Sequence, residues 1–374
     1  MPKKHAYLPA SSAYRWMKCT RSPAMCEGLE ARASPYAQEG SDAHTLCEYK
    51  VLKALGRDAD DPTENLDYFD QEMADCSDDY TSFSMEQVAE AGTHCPDPLI
   101  LVEERLDFSR WVPEAFGTGD LVIVADDVLT IVDFKYGVGV VVEAEDNPQM
   151  RCYALGAWDA YGCLYDIKTV RMCIFQPRRD NISISEISID DLLAWADGEL
   201  APKARQAFNG EGDLVAGDHC IFCAAKAVCR ARAEKNLELA EYELEEADKL
   251  EPSEIAAILP RIDELVSWAS DVKDFALSQA IAGVKYPGFK VVEGRSVRKY
   301  TDEDAVAKAV QDAGYDPYDR KVMGITALTK LLGKKRFEEL LSDLVCKPHG
   351  RPVLAPESDK RPEYNSIDEA FSDN

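Results

Sequence analysis

Between residues 99 and 187 the chain carries five short, β-branched, apolar runs separated by turn residues. They are Leu99–Val102, Leu121–Val124, Val128–Val132, Val170–Phe175 and Ile182–Ile187. Runs of this length cannot span a helix face, and their bounding turns mark them as strands. Ala125-Asp-Asp127 reads as the tight turn of a hairpin between the second and third. Residues 149–162 read as a helix ending at Gly162, between the third run and the fourth. Ile182-Ser-Ile-Ser-Glu-Ile187 alternates strictly, as a strand with one face in water does. The constraint is therefore an α/β chain built on a small mixed sheet flanked by helices.

The flanks read as follows. Ser11 or Ser12 caps a first helix through Trp16 and Met17, and Pro35 separates it from a second over Ala37–Leu55 that ends at Gly56. Residues 57–97 have weak periodicity and are expected to be an acidic insertion of loop and one short helix. Residues 98–235 form the central region, and 236–286 continue as long helices, patterned over 226–250 and 253–282. A small basic α+β region, 287–346, begins at Pro287-Gly288 with a short strand, and a Pro- and charge-rich tail runs over 347–374. At 374 residues the chain is long enough for two or three domains.

Net charge is −27, from 42 basic and 69 acidic residues, which taken alone disfavours nucleic acid as a partner. The charge is uneven. Residues 57–104 hold fifteen acids and one base, whereas 284–351 hold fourteen bases and ten acids. A solvated surface accounts for the acidic block. No apolar run reaches the roughly 18 residues that cross a bilayer, and no apolar stretch follows the basic start Met1-Pro-Lys-Lys-His5. The expectation is a cytoplasmic protein with reduced thiols and no membrane partner.

Three polar residues interrupt strands that should be apolar. Asp120 closes Gly117-Thr-Gly-Asp120, and Asp133 and Lys135 end Ile131-Val-Asp-Phe-Lys135. Alternation puts Asp133 and Lys135 on one face, and a hairpin would set Asp120 beside Asp133. Two carboxylates at one point call for a cation, and oxygen ligands suit Mg²⁺ or Mn²⁺. An isolated Asp-x-Lys is more often a strand-end salt bridge. Two further features accompany this one: His44 on the second helix with Glu48 one turn later, and Asn147-Pro-Gln149, which opens a helix with Tyr153 four residues beyond Gln149 on the same face.

Of twelve cysteines, Cys47, Cys76, Cys95, Cys152, Cys163, Cys173 and Cys346 are scattered singles, the usual pattern of small buried hydrophobes. Cys220, Cys223 and Cys229 differ, forming C-x2-C-x5-C. Three close thiolates call for a fourth ligand and a soft metal, either structural Zn²⁺ or an iron–sulfur cluster. Cys19, Cys26 and His219 are the rivals for the fourth position.

In this order, His44, Asp120, Asp133-Phe-Lys135 and Gln149-x3-Tyr153 resemble the PD-(D/E)XK nuclease superfamily, over residues 10–230. The closest resemblance is to its RecB-type iron–sulfur exonuclease branch, which includes the AddB nuclease domain and the CRISPR-adaptation exonucleases. That resemblance implies a restriction-endonuclease-like fold with an iron–sulfur clip and a helical C-terminal extension. It implies His44, Asp120, Asp133 and the Phe134 carbonyl as ligands of Mg²⁺ or Mn²⁺, and Lys135 as the residue that orients the attacking water. Gln149 and Tyr153 would shape the site and touch DNA. Glu103 or Glu104 would contribute as well, the choice staying open. It also implies Cys19 with Cys220, Cys223 and Cys229 around a [4Fe-4S] cluster. The expected activity is metal-dependent DNA hydrolysis, an exonuclease processing ends, with a phage single-strand-binding or annealing protein as partner by analogy. The competing expectations are a catalytically inactive DNA- or protein-binding scaffold and a zinc-stapled binding module.

Pro287-Gly-Phe-Lys-Val-Val-Glu-Gly-Arg295, Leu331-Leu-Gly-Lys-Lys-Arg336 and Glu357-Ser-Asp-Lys-Arg-Pro362 look like a phage-encoded nuclease-like family of unknown function along the whole length. In the residues themselves, Arg295, Arg298, Lys299, Lys334, Lys335 and Arg336 have the chemistry to meet phosphates or simply to solvate helices. Tyr300, Tyr315 and Tyr318 are expected in a core rather than stacked on bases.

Overall fold

In a computed structural model, residues 6–29, 35–238, 252–293, 300–318 and 322–346 are described. The chain divides into a large unit ending at Arg298 and a smaller one from Lys299.

The five apolar runs form one five-stranded sheet in the order of the sequence: β1 (Leu99–Asp107), β2 (Phe116–Ala125), β3 (Val128–Phe134), β4 (Thr169–Gln176) and β5 (Asn181–Ser188). All neighbours are antiparallel except β3 and β4, which run parallel. A parallel pair needs a crossover, and α5 (Pro148–Tyr161) supplies it. Asn147 caps α5 by accepting from the Gln149 and Met150 amides, and Pro148 at the first turn sacrifices no hydrogen bond. The expected mixed sheet and the hairpin between β2 and β3 are present.

Alternation gives the sheet two buried faces. Val122, Val124, Leu129, Ile131, Val170, Met172 and Ile174 face α5 and the helices beside it. These are α1 (Ala13–Lys18), α6 (Ile189–Trp195) and α7 (Ala201–Phe208), the last two joined through a π-helical turn. Leu121, Ile123, Val132, Phe134, Cys173 and Phe175 face α3 (Pro35–Ala54) and α4 (Gln71–His94). Burying one such aliphatic or aromatic side chain is worth about 1.5–3 kcal/mol, so these two layers dominate the stability of the large unit.

Three expectations need correction. The acidic stretch 57–97 holds a 24-residue helix, α4, rather than loop and a short helix. Asp70 caps it, accepting from the Met73 amide, and its inner face is Met73, Cys76, Tyr80 and Phe83. Residues 287–293 contain no strand. Tyr300, Tyr315 and Tyr318 are exposed rather than in a core. The short helix α2 (Ser22–Cys26) follows α1, and α8 (Arg230–Leu237) and α9 (Pro252–Ile281) end the large unit. Arg232 and Lys226 both pair with Asp271 of α9, at 2.6 and 2.8 Å. The smaller unit holds α10 (Glu303–Asp312), α11 (Ile325–Leu332) and α12 (Lys334–Leu341). Arg295, Arg298, Lys299, the tail from Lys347 and the side chains of Lys334 and Lys335 lie outside the described residues.

Candidate metal centre and thiol cluster

The sheet register explains how the acidic residues meet. Val102 pairs with Leu121 and Glu104 with Gly119, so Glu103 stands opposite Asp120. Leu121 pairs with Val132, and one step further along that ladder Asp133 stands opposite Asp120. Three carboxylates thus form one row across β1, β2 and β3. Like charges in adjacent register repel, and the structure answers with two cationic groups.

The first is His44 of α3. Its Nδ1 lies 3.2 Å from Asp120 Oδ1, and its ring stands edge-on to Phe134 at 5.4 Å. Burial opposes the imidazolium, but Asp120, then Asp133 and Glu103, outweigh it and lift its pKa to about 9. Burial likewise opposes ionisation of Asp120, yet His44 and the Phe134 amide, which donates at 2.7 Å, hold its carboxyl below the ordinary value. Glu103 is pushed up to about 8, by burial first and by Asp120 second. It has a left-handed backbone at φ 52°, a conformation costly for a non-glycine residue in a strand.

The second is Lys135. Its ammonium sits 2.8 Å from Asp133 Oδ2 and donates to Gln149 Oε1 at 3.1 Å. Gln149 Nε2 in turn donates to Asp133 Oδ1 at 3.2 Å and to the Tyr153 hydroxyl at 3.1 Å. Burial raises Asp133, partly offset by Lys135. Gly117 makes the Tyr153 position possible, since a methyl group there would come within 2.6 Å of the ring.

Two sets of polar contacts therefore meet here: His44 with Asp120, which also accepts from the Phe134 amide, and Asp133 with Lys135, Gln149 and Tyr153. The potential ligand atoms that lie within 4.8 Å of one another belong to His44, Glu103 and Asp120. This imidazole and two carboxylates suit a divalent cation of the Mg²⁺ or Mn²⁺ class. Asp133 is engaged by Lys135 and Gln149. Of the two glutamates left open by sequence, Glu103 joins the site and Glu104 accepts from the Tyr161 hydroxyl.

Elsewhere in the large unit, Cys19, Cys220, Cys223 and Cys229 line one hollow with Arg15, Ser22 and His219. Cys19 accepts from the Val215 amide, and Cys220 from the Gly217 amide. Cys26 lies with its sulfur 3.7 Å from that of Cys223 and accepts from Arg15 at 3.0 Å. The Cys223 hydrogen bond, against burial, and then the Ala225 amide and Arg15 bring Cys26 down to about 5, whereas Cys223 is driven up. His219 is raised by its bond to Cys19 and also bonds the Val215 carbonyl through Nε2 at 2.8 Å. Cys47, Cys76, Cys95, Cys152 and Cys173 are buried as expected of single cysteines, but Cys163 and Cys346 are exposed.

A family model matches residues 5–362, nearly the whole chain. The chain belongs to the DUF2800 family. Its description, protein of unknown function, assigns no activity. A solved structure titled "Crystal structure of SSO0001" matches this DUF2800 chain at 11% identity and a TM-score of 0.23, covering 50% of this chain and 95% of that one. No described helix of the DUF2800 chain is long and apolar enough to cross a membrane.

Proposed function

We propose that this protein is a metal-dependent deoxyribonuclease of the PD-(D/E)XK type, acting on DNA ends. The observation that carries the reading is the convergence of His44, Glu103, Asp120, Asp133, Lys135, Gln149 and Tyr153 from five elements, α3, β1, β2, β3 and α5, at one point of the sheet. A salt bridge at a strand end needs only Asp133 and Lys135. It does not require a buried row of carboxylates, a left-handed glutamate and an imidazole beside them.

A divalent cation held by His44, Glu103 and Asp120 would polarise the scissile phosphate and lower the pKa of a water. The protein's own part follows from its contacts. Gln149 fixes Lys135 and Asp133 at once, so the ammonium is held in place before DNA arrives. A fixed cation stabilises negative charge that grows on a phosphate or an attacking oxygen, with no reorganisation during reaction. Asp133 holds that ammonium at 2.8 Å and would add a third carboxylate to those of Glu103 and Asp120.

The four thiols lining one hollow support an iron–sulfur cluster there. One observation favours a second reading of that centre. The 3.7 Å between Cys26 and Cys223 matches the edge of a ZnS₄ tetrahedron, about 3.8 Å for 2.3 Å bonds. Colour separates the two, since an iron–sulfur protein absorbs near 400 nm and zinc does not.

The test is degradation of end-labelled linear and circular DNA with Mg²⁺ or Mn²⁺ by protein purified without oxygen. Asp133→Ala and Lys135→Ala run in parallel. Loss of linear DNA with wild type and with neither variant is expected. Equal inertness of all three, with the metal centre intact, would overturn catalysis.

A further inference from the structure

Up to Val102, β1 alternates regularly, with Leu99 and Leu101 packed on the α5 layer and Ile100 and Val102 on the layer of α3 and α4. Beyond the left-handed Glu103 the phase is reversed. Glu104 accepts from Tyr161 of α5, and Leu106 is buried in the α5 layer. Strand β2 reverses at the facing residue, Asp120. Val122 and Val124 face α5, and so do Gly117 and Gly119, where an added methyl would meet Tyr153 and Leu106. Arg105 and its register partner Thr118 are consequently turned to the other face, the one from which His44 reaches Asp120. A regular strand would have pointed Arg105 at α5.

Arg105 and Thr118 are both exposed. They stand two positions along the ladder from Glu103 and Asp120, about 7 Å from the carboxylate row. The other cations at this end of the sheet are committed to carboxylates. His44 pairs with Asp120 and Lys135 with Asp133, and Arg178, just beyond β4, is held by Glu39 and Glu72. Arg105 directly follows the stretch of fifteen acids and one base, yet among the described residues it joins no ion pair. Asp107, the next acid along its face, accepts from the Ser109 amide at 2.8 Å instead. The Arg105 guanidinium lies 3.6 Å from the centre of the Phe116 ring. Stacking engages the flat face of a guanidinium and leaves its in-plane N–H fork free.

A free and pre-positioned fork of this kind is matched by an oxyanion with two acceptor oxygens. Beside a site that holds one phosphate of a DNA strand, that oxyanion is another phosphate of the same strand. We infer that Arg105, stacked on Phe116 and aided by the Thr118 hydroxyl, is a second phosphate subsite, which grips the DNA backbone about one or two nucleotides from the scissile phosphate. The inference rests on the proposed function and adds to it a fixed register of the strand on the site. The left-handed backbone of Glu103 then serves two ends, since it brings a carboxylate to the metal position and turns Arg105 to the face where the strand would lie. A backbone contact carries no base information, so the grip is independent of sequence.

The full-length protein tests it, with Arg105→Gln and Arg105→Lys each made in an Asp133→Asn parent that leaves DNA uncut. Arg105 is exposed, so an unchanged circular-dichroism spectrum controls for folding. In the first arm, binding of end-labelled DNA with a single-stranded overhang is measured with Mn²⁺ from about 50 to 200 mM salt. Arg105→Gln is expected to weaken binding roughly tenfold and to reduce the slope of log affinity against log salt by about 0.7–0.9. Arg105→Lys restores the slope but not the full affinity, because an ammonium has no planar fork. In the second arm, Arg105→Gln with Asp133 intact is expected to raise KM for cleavage roughly tenfold with kcat little changed. Unchanged slope and affinity in Arg105→Gln overturn the subsite, the result expected if Arg105 only shields the Phe116 ring from water. Absence of DNA binding by the parent overturns it too and leaves Arg105 to carboxylates of a protein partner. Cleavage without any dependence on Arg105 removes the subsite alone. A slope that depends on Arg105 without any cleavage by wild type supports the subsite and removes the nuclease reading.

Discussion

The Gly117 and Tyr153 contact permits a test of the site's architecture that needs no assumption about activity. Gly117 lies in β2, where alanine ordinarily stabilises by about 0.5–1 kcal/mol because it restricts the unfolded chain. Here the added methyl would stand 2.6 Å from Tyr153 Cε1 and 3.4 Å from Cδ1. Tyr153 is 7% exposed and cannot swing into solvent. Overpacking of this kind costs about 1–3 kcal/mol, which exceeds the gain, so Gly117→Ala is expected to destabilise. Tyr153→Leu removes the ring atom that clashes. In that background Gly117→Ala should become neutral or stabilising, giving a coupling energy of about 1–3 kcal/mol. Denaturant unfolding of the four proteins measures it. Additivity within about 0.5 kcal/mol would refute the contact, and with it the account of why the Gly-Thr-Gly-Asp turn and the Gln-x3-Tyr helix occur together.

Other consequences are open to direct measurement. In the metal-free protein His44 is held charged and Glu103 neutral, with pKa values near 9 and 8, and both must release a proton to ligate. Mn²⁺ affinity is therefore expected to rise by more than about tenfold per unit from pH 7 to 8, and calorimetry showing a flat profile would reject the ligand set. Gln176→Ala leaves three loop groups unpaired and should cost about 1–3 kcal/mol, with new proteolytic cutting within 137–142. Serine at Cys220, Cys223 or Cys229 should abolish metal content. Serine at either Cys19 or Cys26, but not at both, should spare it, and the one that spares it is the residue outside the centre. Removing the metal should raise hydrogen exchange over 213–229 before it does so in β2 or β3.

Much of this was legible in the sequence because strands and caps are local. The five runs, the hairpin turn and the Asn147 cap each depend on neighbours a few residues away. The helix α4 was not legible, for a physical reason. Its buried face includes Ser77, Ser84 and Gln87 among the apolar positions, so its stripe is broken by polar residues that tertiary contacts accommodate. The Asp70 cap was the signal that would have revealed it. Choosing Glu103 over Glu104 required cross-strand register and a bent strand backbone, neither of which is encoded within three residues. Gln176 bonds backbone groups of Gly137, Val140 and Val142, 34 to 39 positions away, so nothing local marks those contacts. The proximity of Cys26 to Cys223 spans 197 residues and is equally invisible.

The thiol centre calls for a different energetic account from the one that sequence suggests. Closing a loop of about 200 residues with a covalent clip removes roughly 5 kcal/mol of chain entropy from the unfolded state. That figure would apply if the clip alone joined the two segments. Here the Thr20 hydroxyl donates to the Glu211 carbonyl at 2.9 Å, Tyr14 bonds Asp218, and Trp16 is fully buried against the α5 layer. These contacts bring residues 14–20 to residues 211–218 without a metal. These three contacts stop at Asp218, and the stretch that follows, as far as Cys229, has as its regular structure one short 3₁₀ turn at Asp218–Phe222. A metal held by Cys220, Cys223, Cys229 and one of Cys19 or Cys26 would act chiefly there. It would brace the segment that leads into α8 and, through Arg232 and Lys226, its pairing with Asp271. The centre is then a local brace for the approach to α8 and α9, and the sheet that carries Asp120 and Asp133 should outlast its loss.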